Sequence, residues 1–115
     1  MTNKETEIKK MLLEIFEAKR SQALGISLLT SEDDDYVQGV CDGKYRAYRL
    51  AISSITRNRD KDMLLKIFNR EYDLANKSSL ICPDEDYLQG VFDGRILAFK
   101  DVIIEIKSAF KGESK

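Results

Sequence analysis

The chain has no histidine, no tryptophan, one proline, two cysteines and six glycines among its 115 residues. Without histidine it lacks the commonest general base and metal ligand, and the one side chain that ordinarily titrates near neutral pH. Two cysteines alone complete neither a disulfide framework nor the usual zinc set. Cys41 and Cys82 therefore read as free thiols in a reducing cytoplasm. There is also no excess of either charge: 19 basic residues face 20 acidic ones, so no global field draws in nucleic acid or anionic lipid. No apolar run approaches a membrane span, and Met1 to Glu7 lacks a signal peptide's apolar stretch, so neither membrane insertion nor export is expected. With so little proline and glycine, long regular elements are unobstructed.

What is present is a duplication. The tract Asp35-Tyr36-Val37-Gln38-Gly39-Val40-Cys41-Asp42-Gly43-Lys44 returns 51 residues later as Asp86-Tyr87-Leu88-Gln89-Gly90-Val91-Phe92-Asp93-Gly94-Arg95. Upstream, Met11-Leu12-Leu13-Glu14-Ile15-Phe16 matches Met63-Leu64-Leu65-Lys66-Ile67-Phe68 at an offset of 52. One domain is expected over residues 1–115, with repeat one at about 4–58 and repeat two at about 60–111. A motif kept in both halves points to an architectural demand more readily than to a single active site.

The apolar period is helical almost throughout. Ile8, Met11, Leu12, Ile15, Phe16 and Ala23 predict a first helix from about Lys4 to Leu24, ended by Gly25 as a left-handed cap. The apolar stretch Ile26 to Thr30 then reads as a loop folded onto the core. Ser31 starts the second helix, with Glu32, Asp33, Asp34 and Asp35 against the positive end of its dipole, and the helix runs to about Arg57. Asn58 or Asp60 caps a third, from about Lys61 to Asn76, which Lys77-Ser78-Ser79 breaks. A fourth runs from Pro83, at the first helical position, to about Lys111. The expected fold is all-α: a four-helix antiparallel bundle built from two duplicated helical hairpins with approximate internal two-fold symmetry.

On a helical wheel Tyr36, Val37, Val40, Ala47, Tyr48, Ala51 and Ile55 share one broad face, with Gly39 and Gly43 at its edge. Gly39, Gly43 and Ala47 form a ridge of small residues, repeated as Gly90, Gly94 and Ala98. Each mid-helix glycine costs about 1 kcal/mol relative to alanine, and close approach of another backbone compensates it. The second and fourth helices are thus expected to cross at these glycines. A groove for a flat ligand is the alternative use. Gln38, Asp42, Gln89 and Asp93 fall away from the apolar face. They are candidates for reciprocal hydrogen bonds, to Lys44, Arg95 or the partner helix, or for a symmetric pair of binding contacts. The copies diverge where Arg46 and Ser53 become Leu97 and Ile104, and where Tyr45 becomes Ile96. The fourth helix is therefore either central or carries a partner face, with Ile96, Leu97 and Ile104 as candidate anchors.

Two other chemistries have partial signatures. Lys44, Arg46, Arg49, Arg57 and Arg59, together with Tyr45 and Tyr48, form a basic aromatic segment of the kind that contacts phosphates and stacks on bases. Glu14-x-x-Glu17 followed by Glu32-x-x-Asp35 resembles the ExxE…ExxD pattern of MazG-type all-α nucleotide pyrophosphohydrolases. That resemblance implies a magnesium site at Glu14, Glu17, Glu32 and Asp35. The family's Glu-Glu-apolar-small-Asp context is absent, and the second acidic pair sits at a helix start.

The repeated Tyr-x-x-Gly-x-x-Asp-Gly-x-x-x-Ala stretch is similar to segments of many small helical proteins of bacteriophages and mobile elements of Gram-positive bacteria. The likeness covers about twelve residues in each half. It implies action in a host cytoplasm by binding and inhibiting a bacterial enzyme or defence system, as anti-CRISPR proteins do. Together these features predict a non-enzymatic interaction protein with a protein partner, self-association into a homodimer, and no cofactor. A nucleic-acid-binding accessory protein and the pyrophosphohydrolase are the alternatives.

Overall fold

The computed structural model describes residues 3–29, 34–57, 59–82 and 85–111. They form four helices and, among the described residues, no strand: α1 (Asn3–Leu29), α2 (Asp35–Thr56), α3 (Lys61–Ile81) and α4 (Asp86–Ala109). The architecture is a four-helix bundle of two hairpins, α1 with α2 and α3 with α4. Within each hairpin the helices run antiparallel. Phe16 stacks on Tyr48 with ring centroids 6.2 Å apart, and Phe68 meets Phe99 at 6.1 Å. These two aromatic pairs occupy equivalent positions in the repeat.

The hairpins meet mainly through α2 and α4, the most extensive of the helix contacts. Contacts along this seam advance together towards both C-termini: Gly39 meets Gly90, Gly43 meets Arg95 and Tyr48 meets Asp101. α2 and α4 therefore run in the same direction, with the pseudo-two-fold axis between them and the C-terminal ends of α1 and α3 at one end of the molecule. Leu12, Phe16, Leu64, Phe68, Phe99, Val102 and Ile106 are fully buried around this pair. Each such side chain is stabilised by roughly 1.5–3 kcal/mol on leaving water.

The glycines explain how the seam closes. A Cβ added at Gly39 would collide with the Tyr87 carbonyl oxygen and lie 2.9 Å from the Val91 nitrogen and 3.1 Å from the Gly90 Cα. One added at Gly90 would collide with the Tyr36 carbonyl oxygen and lie 3.1 Å from the Gly39 Cα. Gly43 and Gly94 face the carbonyl oxygens of Val91 and Val40 in the same reciprocal way. At each position the glycine hydrogen that replaces Cβ points at a carbonyl of the other helix, the geometry of a weak Cα–H···O hydrogen bond.

Helix ends differ from the sequence expectation in instructive ways. α1 does not stop at Leu24, and Gly25 is not a cap; the helix continues through it to Leu29. One glycine inside a formed helix costs only about 1 kcal/mol, which does not outweigh continued backbone bonding. α3 likewise passes through Lys77-Ser78-Ser79 to Ile81, because serine lowers helix propensity without forbidding it. It stops at Cys82, whose extended backbone (φ −63°, ψ 135°) is the conformation favoured before proline. Asp34, rather than Ser31, caps α2, accepting from the Val37 N–H at 3.2 Å. Asp60 caps α3 through the Met63 N–H at 2.8 Å. Ser31, Glu32, Asp33, Asn58 and Pro83 lie outside the described residues, and α4 is described from Asp86, after Glu85.

Gly39→Ala or Gly90→Ala should destabilise the protein by at least about 2 kcal/mol in urea unfolding, since the methyl group meets backbone rather than a movable side chain. Gly25→Ala, with nothing within 4 Å of its added Cβ, should stabilise by about 0.5–1 kcal/mol.

Candidate functional site

The repeated polar residues are used across the seam. The Tyr36 hydroxyl donates to Asp93 Oδ2 at 2.6 Å, and the Tyr87 hydroxyl donates to Asp42 Oδ2 at 2.5 Å. Each tyrosine, in the first turn of its helix, reaches the aspartate of the other copy. Gln89 donates to Ser79 Oγ at 2.8 Å and to Asp93 Oδ1 at 3.1 Å, so it ties the end of α3 to α4. Asp42, Gln89 and Asp93 thus have partners inside the fold, and Gln38 also has an interaction there. Hydrogen bonding to the aspartates, the largest cause, raises the phenol pKa of both Tyr36 and Tyr87 above the usual 10.0. The sequence carried a signal for these bonds. Each copy places Tyr and Asp six residues apart, a spacing that two parallel helices can satisfy reciprocally.

A second polar cluster has no counterpart in the other half and was missed by sequence reasoning. Asp101 accepts from the Tyr48 hydroxyl at 2.8 Å and pairs with the Lys19 ammonium at 2.5 Å, joining α1, α2 and α4. The positions equivalent to Asp101, Tyr48 and Lys19 are Leu50, Phe99 and Glu71, so the repeat gave no hint of it. Glu71 instead pairs with Arg95 at 3.7 Å, within its own hairpin, and the Arg95 guanidinium lies over the Phe99 ring. Beside Asp101 opens a cleft of about 370 Å³ lined by Lys19, Lys44, Tyr48, Leu97 and Asp101.

The outward faces of α2 and α4 are equivalent in the repeat and opposite in character. On α2, Arg46, Arg49, Leu50 and Ser53 line a groove of about 380 Å³. Arg57 extends the stripe one turn further, and Arg59 follows in the connection to α3. Among the described residues, the side chains of Arg46, Arg49, Arg57 and Arg59 have no hydrogen-bond or ion-pair partner. On α4 the equivalent stripe is Leu97, Lys100, Asp101 and Ile104. Leu97 and Ile104 are 54% and 53% exposed. Ile96 packs partly against the core, while Ile103 and Ile104 line an apolar groove of about 200 Å³ with Tyr72, Asn69 and Lys100. α4 is therefore central on one side, through Val102 and Ile106, and on its outward side exposes Leu97 and Ile104 beside the charged Lys100 and Asp101.

Glu14 and Glu17 are exposed on α1, at the level of the C-terminal half of α2. Asp35 begins α2, roughly 20 Å away by helix rise, so the pattern does not bring these acids together. Among the described residues no group of three potential metal ligands is assembled, and no helix is long and apolar enough to cross a membrane. The two cysteines are free; burial, the largest cause, raises the Cys41 thiol pKa above the ordinary value and leaves it a weak nucleophile. Compared with protein-family models, with curated proteins and with solved structures, the chain matches none.

Burial, followed by the hydrogen bond to Asp101, holds the Tyr48 phenol far above 10.0. The folded state therefore favours the neutral phenol. That stabilisation is complete below pH 10.0 and is lost as pH rises through the folded-state value. Urea unfolding at a series of pH values should show stability falling above about pH 10, with a shallower fall in Tyr48→Phe. At neutral pH the same variant should lose about 1 kcal/mol.

Proposed function

We propose that this chain is a non-enzymatic helical interaction protein that engages a protein partner through the outward face of α4. The observation that carries the reading is the pair Leu97 and Ile104, two turns apart on one stripe and both more than half exposed, whereas the other large aliphatic side chains of α4 are buried or half-buried. Lys100 sits between them and the apolar groove at Tyr72, Ile103 and Ile104 lies alongside. Aliphatic anchors beside a pocket, with a charge at the rim, are the composition of a docking surface rather than of a solvated face.

Divergence within the repeat supports the same reading. The equivalent stripe on α2 carries Arg46, Arg49 and Ser53, so the fold does not require aliphatic side chains at these positions. Modulation of a bacterial enzyme or defence complex in the cytoplasm is the kind of action that the resemblance to phage and mobile-element proteins implies.

Leu97→Glu combined with Ile104→Glu tests this directly. The double variant should keep the helical circular dichroism of the parent and lose, at least tenfold, its capture of the protein that the parent retains from a bacterial lysate. Unfolding of the variant, or undiminished capture, would contradict the assignment of this face.

A further inference from the structure

The net charge of −1 conceals a strong polarity. Segments 21–44 and 73–93 contain ten acidic and two basic residues, whereas the rest of the chain contains ten acidic and seventeen basic. Because α2 and α4 run in parallel, the described residues of these two segments lie together, at the C-terminal ends of α1 and α3 and the starts of α2 and α4. The described residues of the basic remainder lie toward the opposite ends of the helices, along a molecule 48 Å in its longest extent. Exposed Asp34, Asp35, Glu85 and Asp86 mark the acidic end, at the starts of α2 and α4.

The same end carries the two most exposed aliphatic side chains described. Leu80 and Ile81, in the last turn of α3, are 86% and 83% exposed. They sit on a helix that Ser79 ties to Gln89. They are therefore presented on regular structure, next to carboxylates. On the basic side, the groove between α3 and α4 offers the complementary features: an apolar lining of Tyr72, Ile103 and Ile104, with Lys100 at its edge and Lys107 one turn beyond.

We propose that the protein associates with itself head to tail, with Leu80 and Ile81 of one copy seated in the α3–α4 groove of the next. The carboxylates at the acidic end face Lys100 and Lys107 of that neighbour. This rests on the reading of the α4 face as a docking surface and names its occupant as a second copy of this chain. The contact joins two different surfaces, so it is heterologous and leaves a free tip and a free groove at the ends of each assembly. Opposite charges at the two ends favour encounter in this orientation and oppose tip-to-tip contact.

Sedimentation equilibrium with complementing variants tests the proposal. At salt on the order of 10 mM, where the Debye length is ~30 Å, the parent should show an average mass that exceeds 13.2 kDa and rises with concentration. Salt of about 1 M should lower that mass, because screening then acts over ~3 Å. A tip variant (Leu80→Ser with Ile81→Ser) and a groove variant (Ile104→Glu) should each remain at 13.2 kDa and keep the parent's circular dichroism. Mixed in equal amounts, they retain one intact tip and one intact groove and should form a one-to-one complex of twice that mass. A parent that stays monomeric at every concentration overturns the proposal, as does a tip variant that still associates or a mixture that remains monomeric. If the parent is monomeric yet Leu97→Glu with Ile104→Glu still abolishes capture of another protein, self-association fails and the α4 docking face stands.

Discussion

Two helices can run side by side at backbone contact only if neither has a Cβ atom at the points of closest approach. In this protein that constraint falls on Gly39 and Gly43 of α2 and on Gly90 and Gly94 of α4, each aimed at a carbonyl oxygen of the other helix. Everything else in the fold is arranged around the resulting seam. The small residues Ala47, Ala51 and Ala98 continue it, fully or nearly fully buried. Phe16 and Phe68 then cover its flanks by packing α1 on α2 and α3 on α4. The cost of four helical glycines is about 1 kcal/mol each. Extra packing across the shallow groove and Cα–H···O contacts of ~0.5–1 kcal/mol each offset it.

Duplication makes this seam self-consistent, because one set of residues satisfies both sides. The Tyr36–Asp93 and Tyr87–Asp42 bonds follow the same logic and fix the register at the starts of α2 and α4. Once the seam is met, the outward positions of α2 and α4 are free to diverge. They have diverged into an arginine-bearing stripe on one side and, on the other, one that carries Leu97 and Ile104 beside Lys100 and Asp101. The Lys19–Asp101–Tyr48 cluster breaks the symmetry further, bracing α1 against α4 in one half only. Structural demand is thus concentrated on the two-fold axis, and the functional candidates lie where the copies disagree.

Much of the architecture was legible because duplication and the 3.6-residue period report helices and their pairing without reference to distant contacts. Helix ends were less legible. Gly25 and the Ser78-Ser79 pair are weak breakers whose effect depends on whether the flanking turns are already formed, and here they are. The spacing of the glycines was plain in the sequence. That each missing Cβ faces a carbonyl oxygen was not, since it depends on helix azimuth at a fraction of an ångström. Leu97 and Ile104 could be singled out as departures from the repeat, but two residues outside the buried stripe read equally as extra core or as surface. Asp101 had no sequence signal at all. Its partners Lys19 and Tyr48 are 82 and 53 residues away, and its equivalent in the repeat is Leu50.

Native-state hydrogen exchange tests the central role of the α2–α4 seam most directly. If the two hairpins stand or fall with this contact, the amides around Gly39, Gly43, Gly90 and Gly94 belong to the last structure to open. Their exchange free energies should then equal that of global unfolding, with the outer turns of α1 and α3 exchanging through smaller openings. Seam amides that exchange more easily than those around Phe16 and Phe68 would contradict the account and place the stabilising core within the separate hairpins.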